Sequence, residues 1–403
     1  MEERSPKQEQ ELEQGSLSLR IGVIDALRGL AVLGICVVNI PEMIGNGISY
    51  QSSYTGMDAL FRLLYDMFVQ TKFYTLFAFL FGLSFYLFMH RAETKQLRPY
   101  RLMSRRLGLL LAAGIGHAVL LWFGDVLHVY ALLGFLLLLF YKRLTGTILA
   151  WSLSLLGLAV LLHAGLTALA AAVASEALDD VLFNGLPSLT ERVEFLLTDG
   201  IANFFLMLPE ILGLFLLGLY AGKKGWFAKD GMQRSKVRLA LWIALPASVL
   251  FWIPMVLEYL SSASYNTNLI YPYMYLSGKA MAIVYLCLSL LLYRAFGDRL
   301  SAGLSAVGRM AFTNYLMQTI ITVLLFQVLI DASDWPMWAA FAYACLLFAA
   351  QLAWSRLWLK RFRMGPFEWL WRAGTYGSAF MRGSGRGRGT GTGTDSQQLS
   401  AGS

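Results

Sequence analysis

Charged residues are scarce in this sequence. They make up 14% of the 403 residues, whereas roughly a quarter are charged in an ordinary soluble domain, and 57% are hydrophobic. Such a chain has too little charge to cover a soluble surface. Its apolar runs of about 20 residues match the length of a helix that crosses the hydrocarbon of a bilayer. The composition therefore predicts an all-α, polytopic membrane protein whose first partner is the lipid bilayer.

Cysteine is also scarce, and familiar enzyme motifs are missing. The three cysteines, Cys36, Cys287 and Cys345, all fall in apolar runs and have no spacing that suits a disulfide or a metal. The sequence contains no glycine-rich phosphate loop, no cluster of metal ligands and no Gly-x-Ser-x-Gly nucleophile elbow. We expect no bound metal, and the sequence leaves the cofactor open.

The apolar runs predict a helix bundle with about ten transmembrane helices. The third and fourth runs are separated by so short a turn that they form one long hairpin. The predicted spans are 22–41, 67–89, 107–123, 126–141, 146–173, 201–222, 239–258, 276–293, 308–330 and 337–356.

Basic residues predict the orientation of this bundle. Lys and Arg gather in the loops that follow spans two, four, six, eight and ten, whereas the opposite loops are mainly acidic. By the positive-inside rule, both termini and every basic loop are cytoplasmic. The net charge of +8 is therefore a signal of topology, and we expect no nucleic-acid partner.

The two ends of the sequence are hydrophilic. Residues 1–20 mix acidic and basic side chains and lack the features of a secretory signal. The last residues are rich in Gly, Arg and Thr and cannot bury apolar surface. We expect a disordered cytoplasmic leader at 1–20, a membrane domain at 21–378 and a disordered cytoplasmic tail at 379–403.

The first span carries three polar residues. On a helix that turns about 100° per residue, Asn39 lies about 20° from Arg28 and about 40° from Asp25, so the three residues form one stripe. A charge near the bilayer centre costs roughly 2.5–3.5 kcal/mol, so this stripe is expected to face a partner helix or a wet cavity. Asp25 and Arg28 are three residues apart and are predicted to pair.

The hairpin of spans three and four contains two histidines and an aspartate. His117 lies about 15 Å deep, counted from residue 107 at a rise of about 1.5 Å per residue. Asp125 and His128 lie at the outer turn and can pair. A histidine in an apolar helix is more often structural, although a neutral imidazole can also act as a general base.

Four further polar residues lie in the predicted spans. Lys72 opens the second span and either extends outward to the interface or meets substrate. Glu210, near mid-membrane, is expected to be protonated or paired, with Lys279 as the candidate partner. Asn314 and Gln318 share a helix face, which suits hydrogen bonds between helices.

Several blocks of residues stand out along the sequence. The opening block is Ile24-Asp25-Ala26-Leu27-Arg28-Gly29-Leu30 with Val38-Asn39-Ile40. The later blocks are Lys72-Phe73 with Leu80-Phe81-Gly82, Gly124-Asp125-Val126-Leu127 with Tyr130-Ala131, Gly308-Arg309-Met310-Ala311 with Thr313-Asn314-Tyr315, and Gly365-Pro366-Phe367-Glu368-Trp369-Leu370-Trp371-Arg372 with Thr375-Tyr376-Gly377. Together, and in this order, the blocks resemble those of the YeiB-like family, a group of bacterial membrane proteins filed as domain of unknown function 418. The resemblance covers about residues 20–378 and implies a multi-span plasma-membrane protein.

The opening block is also similar to that of lysosomal heparan-α-glucosaminide N-acetyltransferase. This resemblance implies a membrane acyltransferase that moves an acyl group from cytoplasmic acyl-CoA to an acceptor at the outer side. The positions that carry over are Asp25, Arg28, Gly29 and Asn39. That enzyme has a catalytic histidine soon after its first span, whereas residues 41–71 here contain none. Either His117 serves as the base or the chemistry differs.

Two functions follow. As an acyltransferase, the protein would bind the phosphates of acyl-CoA with Arg101, Arg105 and Arg106 and transfer the acyl group to a small-molecule, lipid or glycan acceptor. His117 would be the general base, and Asn39 or Lys72 would stabilise the oxyanion. As a transporter of a small solute or lipid, it would need no covalent chemistry. Both use a polar cavity, predicted to hold Asp25, Arg28, Asn39, Lys72, Asp125, Glu210 and Asn314.

Overall fold

The structure is almost entirely helical. The computed structural model describes residues 6–45, 47–49, 51–173, 188–227, 231, 233–332 and 334–377. A 3₁₀ turn at Leu138–Phe140 extends α5, and a π-helical turn at Leu325–Leu329 extends α12. The helices are α1 (Pro6–Met43), α2 (Gly56–Phe68), α3 (Lys72–Thr94), α4 (Pro99–Leu120), α5 (Leu127–Leu137), α6 (Thr145–Val173), α7 (Leu189–Leu197), α8 (Asp199–Lys223), α9 (Arg234–Ser261), α10 (Thr267–Phe296), α11 (Asp298–Arg309), α12 (Ala311–Leu324), α13 (Met337–Arg361) and α14 (Pro366–Tyr376).

Within the described residues, eight stretches are long and apolar enough to cross a membrane. Predicted spans three and four correspond to α4 and to the shorter apolar helix α5. Each of the ten predicted spans therefore holds a helix, and the prediction of an all-α membrane helix bundle is confirmed. The eight stretches are Gly22–Met43, Gly56–Thr94, Thr145–Leu169, Asp199–Lys223, Arg234–Ser261, Thr267–Phe296, Ala311–Leu329 and Met337–Arg361.

The N-terminal segment leads directly into the bundle. The backbone is helical from Pro6, within the expected leader, and the part of α1 that is apolar enough to cross a membrane begins at Gly22. The acidic residues at 176–180 and the predicted tail at 379–403 lie outside the described residues.

Glycines let the helices that frame the site approach closely. A Cβ atom on Gly29 would lie 2.0 Å from the carbonyl oxygen of Leu304, and one on Gly308 would lie 1.8 Å from that of Asp25. A Cβ atom on Gly82 of α3 would likewise lie 1.9 Å from the carbonyl oxygen of Phe215 in α8. Helix association in lipid depends on such close packing, because lipid tails are as apolar as the side chains. The start of the first span is thereby fixed against α11.

Two short strands tie together the loops at one end of the bundle. Strand β1 (Ser53–Tyr54) pairs antiparallel with β2 (Tyr265–Asn266), which joins the α1–α2 connection to the α9–α10 connection. Arg62 of α2 supports this ribbon: it donates to the Tyr54 hydroxyl at 3.0 Å and to Asp66 Oδ2 at 3.1 Å.

The helices differ in how much lipid they meet. In α6 and in α9, only 17% of the most apolar 18-residue stretch is buried inside the protein. The corresponding share in α1 is 67%. These two helices therefore lie at the periphery. The helices α1 and α3, with α8 beside them, form the interior that holds the site.

Candidate active site

A cavity of about 510 Å³ lies among α1, α3, α4, α5, α11, α12 and α14. It contains charged residues at one end and mainly apolar residues along its length. Its lining residues are Asp25, Arg28, Phe77, Leu80, Phe81, Ser84, Phe85, Phe88, Arg91, Met103, Arg106, Leu107, Leu110, Leu127, Tyr130, Gly308, Arg309, Ala311, Phe312, Tyr315, Arg363, Met364, Glu368, Trp371 and Arg372.

Six arginines converge on the charged end, which we call the arginine cluster. Two carboxylates accompany them, so the lining has a surplus of four positive charges. Arg28 Nη1 pairs with Asp25 Oδ1 at 3.0 Å, as the spacing predicted, and Arg28 Nη2 donates to Ser84 Oγ at 2.6 Å. Like charges gathered at low dielectric repel one another, and an anion relieves that repulsion. The cluster consists of Arg28, Arg91, Arg106, Arg309, Arg363 and Arg372.

Helix α14 closes one side of the arginine cluster. The Arg106 guanidinium lies 3.7 Å from the centre of the Trp371 ring, and Trp371 Nε1 donates to the Arg106 carbonyl at 2.9 Å. Glu368 Oε1 accepts from the backbone N–H groups of Phe312 at 2.7 Å and Thr313 at 3.0 Å, at the N-terminus of α12. Burial raises the pKa of the Glu368 carboxyl, although these hydrogen bonds oppose the shift. Glu368 therefore caps the N-terminus of α12, and the lining as a whole has six arginines against two carboxylates.

Beyond the arginine cluster the wall is apolar. The lining residues of α3 run from Arg91 to Phe77, which corresponds to about 21 Å along the helix at about 1.5 Å per residue. This geometry suits a ligand with an anionic head and a long, narrow extension. The apolar side chains are Phe77, Leu80, Phe81, Phe85, Met103, Leu107, Leu110 and Leu127.

Two tyrosines, Tyr130 and Tyr315, form the deep end of the cavity. The Tyr315 hydroxyl donates to Asp125 Oδ1 at 2.9 Å, while Asp125 Oδ2 accepts from the backbone N–H of Leu127 at 2.9 Å. This second bond caps the first turn of α5 and fixes the carboxylate. The carboxylate is therefore held immediately next to the cavity wall.

Asp125 also faces two histidines. His117 Nδ1 lies 3.2 Å from Asp125 Oδ1, and His128 Nδ1 lies 3.5 Å from Asp125 Oδ2. The side chain of His117 is 1% exposed, and within the described chain neither Nδ1 nor Nε2 makes a hydrogen bond of good geometry. His117 does not line the cavity; its ring centroid is 5.6 Å from that of Tyr315. A carboxylate beside Nδ1 favours a proton there and leaves Nε2 as a base.

The structure does not bring the three predicted phosphate-binding residues together. Arg106 lines the cavity, whereas Arg101 and Arg105 are exposed and lie outside its lining. At about 100° per residue, Arg101 and Arg105 differ by about 40° and share a face of α4. Arg106 leaves the helix at least about 100° away from both, and of the three it alone contacts α14.

Lys72 lies in a different cluster. Its side chain is 0% exposed and donates to the Asp66 carbonyl oxygen and to Ser277 Oγ at 3.3 Å. It therefore does not extend outward to the interface, and it is outside the cavity lining. Hydrogen bonds to the last turn of α2 and to α10 hold it in place.

Glu210 forms the ion pair that its depth predicted. Its Oε1 pairs with Lys279 Nζ and accepts from the Tyr74 hydroxyl at 2.6 Å, and its Oε2 accepts from the Tyr275 hydroxyl at 3.0 Å. The Lys279 ammonium lies 4.6 Å and 4.3 Å from the centres of the same two tyrosine rings. The pair is satisfied and lies outside the cavity lining.

The two asparagines also lie away from the cavity. Asn314 is buried between helices: it donates to Ser355 Oγ at 3.0 Å and accepts from Trp354 Nε1 at 2.7 Å. Asn39 is half-buried and about 16 Å further along α1 than Arg28, at about 1.5 Å per residue. The polar stripe of α1 therefore contributes only Asp25 and Arg28 to the cavity.

Several functional candidates were not identified from the sequence. Tyr315 and Trp371 look like ordinary core or lipid-facing aromatics, and Arg91, Arg309 and Arg363 look like topology charges. For Tyr315, Trp371, Arg309 and Arg363 the sequence signal was their presence inside or next to the family-like blocks, whereas Arg91 carried no such signal. Among the described residues, no group of three His, Cys, Asp or Glu side chains is placed to hold a metal. The arginine cluster is instead suited to an anionic cofactor or substrate.

Comparison with known proteins identifies relatives over most of the chain. A family model described as "Protein of unknown function (DUF418)" matches residues 221–378. "Uncharacterized protein YxaH" of Bacillus subtilis is 33% identical over 391 residues, covering 89% of this chain and 94% of that protein. "Uncharacterized 39.9 kDa protein in amylase 3'region" of Bacillus acidopullulyticus is 30% identical, with 91% and 96% covered. "Uncharacterized protein YeiB" of Escherichia coli is 30% identical, with 88% and 96% covered.

Proposed function

The chain belongs to the DUF418 family, and from that premise we propose that it is a membrane acyltransferase. In this proposal it takes an acyl group from acyl-CoA on the cytoplasmic side and gives it to an acceptor at the outer side of the plasma membrane. One observation carries the proposal. The cavity joins a cluster of six arginines to a tyrosine that is hydrogen-bonded to an aspartate–histidine pair.

The arginine cluster supplies the donor site. Coenzyme A carries several phosphate charges, and guanidinium groups bind phosphate oxygens through pairs of N–H donors. The surplus of positive charge favours a ligand with more than one negative charge. The pantetheine arm then lies along the apolar wall. Its extended length from phosphate to sulfur, equal to about four peptide residues, is about 14 Å, which fits within the lining of α3.

The aspartate–histidine pair supplies the base. His117 Nε2 takes the proton from the acceptor hydroxyl or amine as its oxygen or nitrogen forms a bond to the thioester carbonyl carbon. The tetrahedral intermediate collapses, the carbon–sulfur bond breaks, and the imidazolium returns the proton to the thiolate of coenzyme A. Asp125 stabilises the imidazolium that forms between these two steps.

Tyr315 lies between the cavity and His117. Its hydroxyl holds Asp125, and its ring lies beside the imidazole. In this proposal the side chain swings away when the donor is bound, so that acceptor, thioester and Nε2 meet. The movement breaks the hydrogen bond of 2.9 Å between Tyr315 and Asp125, while Asp125 still accepts from the backbone N–H of Leu127.

A transporter of a small solute or lipid is the rival function. The buried pair of Glu210 and Lys279, next to Pro209 in α8, is the observation that favours it. However, the pair is bonded to two tyrosines and does not line the cavity. A transporter does not require a binding site for acyl-CoA. Binding of acyl-CoA therefore distinguishes the acyltransferase from the transporter.

The test is a thermal-shift titration of the purified full-length protein. The probes are coenzyme A, acetyl-CoA, longer acyl-CoAs and phosphate-free pantetheine. We expect coenzyme A and its thioesters to raise the melting temperature, because a ligand at 100 times its Kd adds about 2.7 kcal/mol of stability. Pantetheine should have little effect. No shift with any coenzyme A species would favour the transporter.

A further inference from the structure

The hydroxyl of Tyr130 is nearly without a partner, although the residue is buried. Tyr130 is 2% exposed and lines the deep end of the cavity. The hydrogen bond found for its hydroxyl is a 3.5 Å contact with the carbonyl oxygen of Tyr74. That distance is well beyond the usual 2.5–3.0 Å of an O–H···O bond. The same carbonyl lies inside α3, where the helix already uses it. The Tyr130 hydroxyl therefore makes no strong hydrogen bond within the described chain, and its residue lines the cavity.

The ring of Tyr130 is held from several sides. Its centroid lies 5.6 Å from that of Phe77, 5.6 Å from that of Phe81 and 5.0 Å from that of Phe215. The contacts with Phe81 and Phe215 are edge-on, which is a favoured geometry for aromatic pairs. A donor whose ring is fixed in this way needs little reorganisation when charge develops nearby.

Tyr130 is also in fixed register with Asp125, the partner of the proposed base His117. Asp125 accepts from the backbone N–H of Leu127, and the backbone N–H of Tyr130 donates to the Val126 carbonyl at 2.9 Å. The first turn of α5 therefore sets the position of Asp125 and Tyr130 together. Tyr315 differs, because its hydroxyl donates to Asp125 and, in the proposed function, its side chain moves away when the donor binds.

We infer that Tyr130 is a catalytic residue that donates a hydrogen bond to the carbonyl oxygen of the acyl group. This inference rests on the proposed function. When the acceptor attacks, the carbonyl π electrons move to the oxygen, and the Tyr130 O–H stabilises the resulting oxyanion without transferring its proton. When the carbon–sulfur bond breaks, the carbonyl re-forms and the thiolate leaves. Asn39 and Lys72, the donors suggested by sequence, lie outside the cavity and cannot take this role where they stand.

The test compares Tyr130→Phe with the wild-type protein in acyl transfer from acyl-CoA. Phenylalanine keeps the ring and its packing and removes only the hydroxyl. We expect kcat to fall by about 10²–10³-fold, with little change in KM, melting temperature or coenzyme A affinity. Tyr285→Phe is the matched control, because the Tyr285 hydroxyl binds the Phe68 carbonyl outside the cavity. It should keep its activity.

A second measurement does not depend on turnover. A ¹³C-labelled acyl-CoA is bound to His117→Ala. The infrared stretching frequency of its thioester carbonyl should then be lower than that of the same acyl-CoA free in solution. Adding Tyr130→Phe should abolish that shift. The inference is overturned if Tyr130→Phe keeps full kcat, or if the carbonyl frequency is the same with and without the hydroxyl. If the wild-type protein transfers no acyl group from any acyl-CoA, the inference and the proposed function fail together.

Discussion

The guanidinium of Arg106 lies 3.7 Å from the centre of the Trp371 ring, which fixes α4 to α14 at the arginine cluster. The adjacent residue in α4, Arg105, is exposed and outside the cavity. Two arginines that are neighbours in sequence therefore occupy different environments. Stacking on an aromatic face holds the charge of Arg106 without neutralising it, so the charge remains available to a phosphate.

Replacing Arg106 is expected to weaken donor binding. Arg106→Gln should raise the Kd of coenzyme A by about 10–100-fold, because a hydrogen bond to a charged group contributes about 1.5–3 kcal/mol. Isothermal titration on the purified protein measures this. Arg105→Gln makes the same change one residue away and should leave the Kd nearly unchanged. If Arg106→Gln and Arg105→Gln changed the Kd equally, the phosphates of coenzyme A would not be bound specifically in the cavity.

The ion pair of Asp25 and Arg28 should appear as a coupling in unfolding. Asp25 is buried, whereas the Arg28 side chain is 32% exposed. The coupling should therefore fall between that of exposed pairs, about 0.2–1 kcal/mol, and that of broken buried pairs, about 3–5 kcal/mol. Denaturant unfolding of Asp25→Asn, Arg28→Gln and the double variant tests this. The double variant should lose less than the sum of the single losses. Simple additivity would argue against the pair.

Glu210 and Lys279 should behave as a structural pair. Lys279→Met or Glu210→Leu alone should cost about 3–5 kcal/mol, because each leaves a buried charge without its partner. The double variant should recover much of that stability, and its affinity for coenzyme A should equal that of the wild type. Thermal unfolding and a coenzyme A titration check both statements. A stable double variant that no longer binds coenzyme A would move this pair into the donor site.

Both termini are expected in the cytoplasm, because basic loops alternate with acidic ones along the chain. A phosphatase that is active only outside the cytoplasm, fused at residue 190, should be active. A fluorescent protein that matures inside, fused after residue 380, should fluoresce. Signals that place the two positions on the same side would contradict this topology and the cytoplasmic location of the arginine cluster.

The helices and the ion pairs were predictable because they depend on local or averaged properties. Long apolar runs marked the spans, and a spacing of three residues marked the pair of Asp25 and Arg28. The pair of Glu210 and Lys279 followed from the cost of an isolated charge in lipid. None of these predictions required the relative placement of distant helices.

The assembly of the cavity depends on that placement. Tyr315 meets a carboxylate 190 positions away in the chain, and Trp371 meets a carbonyl 265 positions away. Helical periodicity separates Arg106 from Arg101 and Arg105, which share a face of α4, but does not show which face lies toward the interior. Periodicity likewise places Asn39 on the stripe of Arg28 and says nothing about where the cavity stops.

The central claim is tested most directly by acyl transfer with and without His117. Protein in detergent is given ¹⁴C-labelled acyl-CoA together with glucosamine, glycerol and a bacterial lipid extract, and labelled product and released thiol are measured. The wild-type protein should transfer the label. His117→Ala should bind coenzyme A normally and transfer about 10²–10⁴-fold more slowly, as expected for loss of a general base. His90→Ala, which lies outside the cavity lining, should keep full activity. A wild-type protein that binds acyl-CoA but transfers nothing, or a fully active His117→Ala, would contradict the account.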